Sequence, residues 1–371
     1  MATEIGDILR SRAANMRRPL VVAVMMGGRS GEHAVSLASG RAVYDHLCDS
    51  RLPPGLFEPL PVVIDEQGGW HLPSPTGPAC TMPWPPAEHQ GVALPEGCRA
   101  LLEHRPDVVF VAMHGPEGED GKLQSLLELL GLCYTGSDSY ASSLCMDKPV
   151  AKRILKSHGI AVPAEIILSR ARWQEAQDQS LAELKARFEA PWVLKTPRLG
   201  SSVGLEIVRS EDRLAATLDE LFVHDRTVLV EEFVAGRELT CGVLDGWAFG
   251  PARGLPLLEI IPLEDPYFNY HAKYTEGATR EPCPAPVPDS VHQRGREMAL
   301  IAHRALGCRG FSRTDFFWTP EDELLVLETN TIPGLTSTSL MPKMAAAVGI
   351  SFAELVAGMV LSALPSGHPH S

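Results

Sequence analysis

The chain has 371 residues, of which 44% are hydrophobic and 21% are charged, so it can bury the cores of two or three domains. Its formal net charge of -13 argues against a nucleic acid or an anionic membrane as the main partner, because both would require clustered lysine and arginine. A small molecule is the better candidate for its ligand.

The N-terminus and the cysteines indicate a protein of the cytoplasm. Residues 1–18 are mixed and charged and lack the apolar segment of a secretory signal, and the apolar run 20–26 is far shorter than the roughly 20 residues that span a bilayer. The eight cysteines include no C-x-x-C pair, so they predict neither a zinc site nor a disulfide framework.

The first part of the chain has the pattern of an α/β domain. A buried strand is expected at Leu20–Met26, followed by the glycine loop 27–32 and a helix at Ala34–Leu47. A second strand at Val108–Met113 is followed in the same way by a loop and a helix at Lys122–Leu130. Both loops lie at carboxyl ends of strands, where α/β sheets bind ligands.

Between these two units, Pro53–Gly97 is rich in proline and glycine and predicts a hairpin or surface excursion with little helix. After Ser139 the character changes, which marks a second domain. A helix is expected at Lys148–Ser157, and short strands at Trp192–Lys195 and Val228–Phe233.

The last third predicts antiparallel hairpins and a closing helix. Asp245-Gly246, between strands at Leu239–Leu244 and Trp247–Phe249, is typical of a type I′ turn. Strands at Arg313–Trp318 and Leu324–Asn330 flank a Pro-Glu-Asp turn. Ser351 with Glu354 forms a capping-box pattern that opens a helix through Leu361.

The strongest local cluster is Arg313-x-Asp315 on one of these strands and Glu328-x-Asn330 on the next. Residues two apart on a strand share a face, so Asp315, Glu328 and Asn330 can converge. Hard oxygen donors of this kind suit Mg²⁺. The alternative is a solvated hairpin face, but the turn 330–334 adds exposed backbone amides beside the carboxylates.

Two further segments could hold a nucleotide. Leu199–Gly204 is a Gly-Ser loop that can wrap phosphate, with Lys195 supplying charge, although such loops are usually ordinary turns. The strand Val228–Val234, with Glu238 beyond it, could hold adenine and ribose, or could be an ordinary edge strand with exposed acids. The chain has no Walker A loop, and no G-x-G-x-x-G follows its first strand, which disfavours a dinucleotide oxidoreductase.

Taken in order, these segments resemble the ATP-grasp superfamily and, within it, the D-alanine:D-alanine ligase family. The motifs run from Gly27 to about Ile350, nearly the whole chain, in the family's order. The matching segments are Gly27-Gly28-x-Ser30-x-Glu32-x-x-Val35-Ser36, His114-Gly115-x-x-Gly118-Glu119-Asp120-Gly121, Tyr134-Thr135-Gly136-Ser137, Met146-Asp147-Lys148, Gly200-Ser201-Ser202-Val203-Gly204, Ala272-Lys273-Tyr274 and Glu328-x-Asn330-Thr331-x-Pro333-Gly334.

The resemblance implies an α/β (α+β) protein of ATP-grasp architecture with three domains and an N-terminal parallel sheet. The expected divisions are 1–137, which binds the first D-alanine, 138–231, the central ATP-grasp domain, and 232–371, with the metal site and the lid. It implies a homodimer that uses ATP with two Mg²⁺ or Mn²⁺ ions per site.

The same resemblance assigns the residues of the site. Glu32 would fix the ammonium of the first D-alanine with help from His114, and Ser339 with Leu340 would receive the second. Arg313 and the Gly334 amide would stabilise the oxyanion. The residues expected at ATP are Lys148, Lys195, Ser202, Glu231, Glu232, Val234, Glu238 and Lys273, those at the metal ions are Asp315, Glu328 and Asn330, and those closing the lid with Glu32 are Ser201 and Tyr274.

The implied reaction is ligation of two D-alanine molecules through an acyl phosphate, for peptidoglycan precursors. The lid segment Tyr267-Phe268-Asn269-Tyr270 departs from the F-Y-D-Y that the family commonly shows, and this departure concerns the packing of the lid. Relatives that use D-lactate tend to have histidine in place of Tyr274, which disfavours an ester product. D-serine as acceptor, and a nucleotide-binding relative without catalysis, remain the alternatives.

Overall fold

A computed structural model of the protein describes residues 2–73, 91–198, 204–263 and 278–365. Its first sheet is mainly parallel, with strand order β3-β2-β1-β4, in which β1 pairs in parallel with β2 and β4 and the short β3 is antiparallel to β2. The elements are α1 (Ala2–Asn15), β1 (Leu20–Gly27), α2 (His33–Leu47), β2 (Phe57–Ile64), β3 (Trp70–His71), α3 (Leu94–Glu103), β4 (Val108–Val111) and α4 (Lys122–Leu129).

The second sheet is antiparallel, with strand order β5-β8-β6-β7. Its core is formed by one face of this sheet and the helices around it, and it includes Trp173, Trp192, Leu218 and Phe222. The elements are α5 (Ser139–Met146), α6 (Lys148–Ser157), β5 (Glu165–Ser169), α7 (Arg170–Glu175), α8 (Gln177–Arg187), β6 (Trp192–Lys195), β7 (Leu205–Val208), α9 (Glu211–His224) and β8 (Thr227–Glu232).

The third sheet is also antiparallel, with order β12-β11-β9-β13-β14 and β10 as a further partner of β9. The elements are β9 (Arg237–Gly246), β10 (Gly250–Gly254), β11 (Leu258–Pro262), β12 (Thr279–Arg280), α10 (Asp289–Ala305), β13 (Phe311–Trp318), β14 (Leu324–Asn330), α11 (Leu340–Ala346) and α12 (Phe352–Ala363). None of the helices in the described ranges is both long and apolar enough to cross a membrane.

One apolar core joins the first sheet to the third. Val22 and Val24 of β1 belong to the same buried cluster as Phe311 of β13 and Leu355 of α12. Because β1 is covered on both faces, it is apolar along nearly its whole length. Leu335, which follows β14, belongs to the same cluster, and Ile332 belongs to a second cluster with Val111 of β4. The segment after β14 therefore packs against the first sheet.

Several predicted elements are confirmed with little change. The helix Lys148–Ser157 and the strands Trp192–Lys195 and Leu324–Asn330 have the predicted bounds. The Ser351 side chain accepts from the Glu354 amide, and the Glu354 carboxylate accepts from the Ser351 amide, so the capping box is present.

The predicted type I′ turn at Asp245-Gly246 is wrong. β9 continues through Gly246, and the turn spans Gly246 to Phe249, where the Phe249 amide donates to the Gly246 carbonyl at 3.0 Å. Trp247–Phe249 is therefore turn and not strand. The reason is that the Asp245 amide donates to the Gly310 carbonyl at 2.7 Å, which keeps Asp245 in the extended strand.

Two other expectations need correction. Pro53–Gly97 is not merely a surface excursion, because it contains β2, which pairs with all of β1. Val228–Val234 is not an edge strand: β8 lies between β5 and β6, so its backbone is paired on both sides up to Glu232. Hydrophobicity alone did not distinguish an interior strand from an edge strand here.

Candidate functional site

A cavity of about 500 Å³ lies where the loops after β1 and β4 meet the end of β14 and the start of α6. Its walls carry both acids and bases, which is typical of a site that binds a charged small molecule. The lining residues include Glu32, His114, Glu119, Lys148, Glu281, Arg313, Glu328, Asn330, Gly334, Ser339 and Leu340.

Lys148 connects the central part of the chain to the third sheet. It is the first residue of α6, whose N-cap is Asp147, and its Nζ lies 3.2 Å from Glu328 Oε2 on β14. The Lys148 side chain is 13% exposed and that of Glu328 29%. The pair is therefore accessible from the cavity, where an incoming anion could replace the carboxylate at the lysine.

A second lysine lies in the same electrostatic environment. Lys195, at the end of β6, pairs with Glu231 on β8 at 2.8 Å. Burial is the largest single effect and would lower the pKa of Lys195, but Glu231 together with Glu328 and Glu238 outweighs it, so the pKa is raised. Since Glu328 acts on both Lys195 and Lys148, the two lysines and this acid belong to one charged cluster.

Glu231 is the buried centre of that cluster. One carboxylate oxygen pairs with Lys152 of α6 and the other with Lys195, and Lys152 also lies 3.5 Å from Glu165. Burial would raise the pKa of Glu231, but Lys195 and Lys152 together lower it to about 2. Glu231 is only 2% exposed, so it holds the two lysines in place and does not face solvent.

Arg313 and Asp315 form a paired unit on β13. Arg313 Nε donates to Asp315 Oδ1 at 2.8 Å, and a terminal guanidinium nitrogen donates to Oδ2 at 2.7 Å. Thr240 Oγ1 also donates to Oδ1 at 2.5 Å. Burial is the largest single effect and would lower the pKa of Arg313, but Asp315, with smaller contributions from Glu328 and Glu119, outweighs it and raises the pKa, so the guanidinium stays charged.

The pairing register of β13 and β14 brings the predicted metal residues together. Asp315 lies opposite Glu328, and Arg313 lies opposite Asn330. Residues directly opposite in an antiparallel pair lie about 5 Å apart at Cα, on the same face of the sheet. The two carboxylates and the amide of Asn330 are therefore neighbours, as the sequence pattern predicted.

The other side of the cavity is built by Glu32, at the N-cap of α2, and by His114 after β4. His114 Nδ1 lies 3.1 Å from the Ile332 carbonyl and 3.3 Å from Glu119 Oε1. Burial raises the pKa of Glu119, against the lowering effect of its contact with His114, and Glu32 raises it further. Two carboxylates thus share a nearly solvent-free corner.

Not all predicted residues reach the cavity wall. The predicted residues that line it are Glu32, His114, Lys148, Arg313, Glu328, Asn330, Gly334, Ser339 and Leu340. The predicted residues that are described but do not line it are Asp315, Lys195, Glu231, Glu232, Val234 and Glu238. Ser201, Ser202, Lys273 and Tyr274 lie outside the described residues.

Glu232 has a local role that the sequence did not predict. Its Oε1 accepts from the Ala164 amide at 2.7 Å, and its own amide donates to the Ala164 carbonyl. These two hydrogen bonds extend the pairing between β8 and β5 to the residue just before β5. The first residue after this fully paired strand is Phe233, which is 40% exposed.

Sequence reasoning missed three residues. Glu119 belongs to the motif that begins at His114 and lies in the same loop, before Gly121, but the family resemblance assigns it no role. Lys152 lies one helical turn after Lys148, which is the only sequence signal for it. Ser39 lies on α2 and contacts His114, and no pattern in the sequence marked it.

Two family models match most of the chain. Residues 21–137 match the model described as "D-ala D-ala ligase N-terminus", and residues 154–361 match "D-ala D-ala ligase C-terminus". The D-alanine--D-alanine ligase of Syntrophotalea carbinolica is 38% identical over 335 residues, which cover 90% of this chain and 93% of the relative. That of Gluconobacter oxydans is 38% identical over 347 residues, which cover 92% and 99%.

Solved structures agree. The VanG D-Ala:D-Ser ligase from Enterococcus faecalis superimposes with a TM-score of 0.75 at 30% identity, covering 93% of this chain and 100% of that chain. The D-alanine-D-alanine ligase from Coxiella burnetii gives a TM-score of 0.74 at 30% identity, covering 94% of both.

Proposed function

Since the chain belongs to the D-alanine--D-alanine ligase family, we propose that it joins two D-alanine molecules with the energy of ATP. Its fold is the mixed α/β ATP-grasp fold of that family. The observation that most directly supports the proposal is the cavity in which Lys148 and Glu328 meet beside Arg313 and Asn330. We propose the divisions 1–137, 138–231 and 232–371 as its three domains.

The nucleotide would lie with its phosphates at Lys148 and Lys195, two cations on separate elements that share Glu328 as a neighbour. An entering triphosphate would replace Glu328 as the source of negative charge beside Lys148, while the buried Glu231 continues to hold Lys195 in place. The adenosine end would follow the chain beyond β8, at Glu232 and Val234, with Glu238 toward the ribose. Ser202 and Lys273 are proposed at the phosphates by family resemblance.

The donor set also fits divalent cations. Asp315, Glu328 and Asn330 offer two carboxylates and one amide oxygen on adjoining strands, the hard oxygen donors that Mg²⁺ and Mn²⁺ prefer. We propose that these three residues hold the ions, two per site. Bound cations would offset charge on the transferred phosphoryl group.

The first substrate would lie at Glu32, whose carboxylate is buried and suited to an ammonium group. A carboxylate oxygen of this first D-alanine attacks the γ-phosphate of ATP, which gives an acyl phosphate and ADP. The amine of the second D-alanine, received at Ser339 and Leu340, then attacks the acyl carbon and phosphate leaves with its electron pair. The amine loses a proton in this step, so the products are dipeptide, phosphate and a proton.

Charge develops on the acyl oxygen during the second step. Arg313 and the Gly334 amide both line the cavity and are placed to stabilise it. Arg313 is held on β13 by two hydrogen bonds to Asp315, so it needs little reorganisation as the charge forms. Ser201 and Tyr274 are proposed to close the site with Glu32 and to exclude water from the acyl phosphate.

D-serine is the alternative acceptor substrate. The VanG D-Ala:D-Ser ligase is among the structural relatives, at the same 30% identity as the Coxiella burnetii ligase. The product would serve peptidoglycan synthesis, and we propose a cytoplasmic homodimer.

Product analysis tests the function. Incubation with ATP, Mg²⁺ and D-alanine should give D-alanyl-D-alanine, ADP and phosphate in equal amounts, with D-alanine required for phosphate release. Parallel reactions that also contain D-serine or D-lactate, at the same concentration as D-alanine, show which acceptor the enzyme uses. Predominance of the mixed dipeptide would assign the acceptor as D-serine, and ATP binding without any D-alanine-dependent phosphate release would identify a non-catalytic relative.

A further inference from the structure

The loop that carries Gly334 is held from outside at two points. Gly334 follows β14 in the segment 331–336, and among the described residues its amide makes no hydrogen bond, so it is free to meet a ligand in the cavity. The residues on either side of it do have partners. The Ile332 carbonyl faces His114 Nδ1 at 3.1 Å, and the Leu335 amide donates to Ser39 Oγ at 3.3 Å.

The two partners are themselves hydrogen-bonded. Ser39 Oγ lies 2.8 Å from His114 Nε2. Both residues are buried: Ser39 has no exposed surface, and His114 is 4% exposed. Ser36, one turn earlier on α2, accepts from the His114 amide at 2.9 Å. One serine of α2 and the histidine after β4 thus form hydrogen bonds with the loop that follows β14.

Donor chemistry fixes the direction of each bond. A carbonyl oxygen can only accept, so His114 Nδ1 carries the hydrogen that Ile332 accepts. A backbone amide can only donate, so Ser39 Oγ accepts from Leu335, and its hydroxyl hydrogen is left to donate to His114 Nε2. The chain of bonds runs from the Leu335 amide through Ser39 to His114, whose Nδ1 hydrogen is shared between the Ile332 carbonyl and Glu119 Oε1. Hydrogen bonds linked in this way reinforce one another.

We propose that Ser39 is a positioning residue for the Gly334 amide: with His114 it clamps residues 332 and 335 so that the amide between them points at the acyl oxygen. This rests on the proposed function, in which that amide stabilises the oxyanion of the second step. Ser39 touches neither substrate in this account and acts only through the loop.

A clamp on the second step has a kinetic signature that general damage lacks. If Ser39→Ala loosens the Gly334 amide, the acyl phosphate still forms, but attack by the amine slows and water competes for the acyl carbon. Phosphate released per dipeptide should then rise from about one to several, while kcat for dipeptide falls roughly 10-fold or more. The KM for ATP should change less than about twofold, since no ATP contact is removed.

Matched variants separate this from lost stability. Ser36→Ala removes a buried hydroxyl from the same helix. That hydroxyl contacts His114 but not the loop 331–336, so the phosphate-to-dipeptide ratio of this variant should stay near that of the wild type. Ser39→Cys keeps a weak donor and acceptor of similar size and should give an intermediate ratio, which also provides a reading if Ser39→Ala does not fold.

The measurement is simultaneous quantification of phosphate and dipeptide in single reactions of the wild type and the three variants. A ratio that rises in Ser39→Ala and less in Ser39→Cys supports the clamp. Equal losses of phosphate and dipeptide in Ser39→Ala, with the ratio unchanged, would overturn it. Failure of the wild type to release phosphate with D-alanine would instead refute the proposed function.

Discussion

Lys148 Nζ and Glu328 Oε2 lie 3.2 Å apart although 180 positions separate them in the chain, and this contact joins the first turn of α6 to β14. The ion pair is only partly shielded from solvent, so its own contribution to stability is small. Its significance is positional: it places the cation proposed to bind phosphate beside an acid proposed to hold metal.

Removing the Lys148 charge should therefore impair nucleotide use far more than folding. We expect Lys148→Met to lower kcat/KM for ATP by roughly 100-fold or more, because the lysine offsets phosphate charge. Lys156→Met is the control, since Lys156 lies on the same helix, is 46% exposed and lies 3.6 Å from Glu165 away from the cavity. ADP-release kinetics would check both, and equal effects in the two variants would contradict the assignment.

Arg313 should not tolerate replacement by lysine. Arg313→Lys retains the charge but loses the two-point contact with Asp315, so the group that faces the oxyanion is no longer held. We expect kcat to fall roughly 100-fold. Arg237→Lys is matched, because Arg237 makes the same two-point contact with Glu259 on β11 at 2.6 Å and does not line the cavity. Its steady-state kcat should remain within about twofold of wild type, and an Arg313→Lys enzyme as active as this control would refute the role.

Glu231 should make the fold sensitive to acid. Its pKa is lowered to about 2 from 4.5 by Lys195 and Lys152, against the opposing effect of burial, so its stabilisation is complete above about pH 4.5 and is lost as pH falls toward 2. Glu231→Gln removes the carboxylate shared by the buried Lys152 and by Lys195, and leaves Lys152 only the more distant Glu165. It should lower the free energy of unfolding by roughly 3 kcal/mol at neutral pH. Denaturant titrations across this range should show the difference from wild type shrinking below about pH 4.5; a difference independent of pH would contradict the ionised state.

Ionisation of Glu119 should affect stability in the opposite direction to ionisation of Glu231. Burial, the largest cause, raises its pKa, so the folded state binds the proton more tightly than the unfolded chain and the ionised form costs stability above the unfolded value of 4.5. Glu119→Gln should raise the unfolding midpoint at neutral pH, and the gain should disappear as pH falls below about 4.5. A variant less stable than wild type at neutral pH would show that the contact with His114 outweighs burial. Scanning calorimetry at several pH values measures this.

The local elements and the motifs were predictable because they depend on short-range patterns. The bounds of α6 and β14 followed from caps and apolar runs, and the shared face of Asp315 and Glu328 followed from the two-residue period of strands. The interior position of β8 was not predictable, because the sequence does not say which strands lie on either side.

The missed residues show the same limit. Glu119, Lys152 and Ser39 matter through partners distant in the chain, such as Lys152 with Glu231 and Ser39 with Leu335. Neither spacing nor composition reports these contacts. A polar residue on a helix face is ordinarily solvated, and only the packed structure shows that Lys152 and Ser39 are buried.

A crystal structure with Mg²⁺ and a non-hydrolysable ATP analogue tests the central claim most directly. We expect one nucleotide whose phosphate oxygens lie about 3 Å from the Nζ atoms of Lys148 and Lys195, with cations on Asp315, Glu328 and Asn330. A nucleotide bound elsewhere, with Lys148 still paired to Glu328 and no phosphate oxygen near Lys195, would contradict this arrangement.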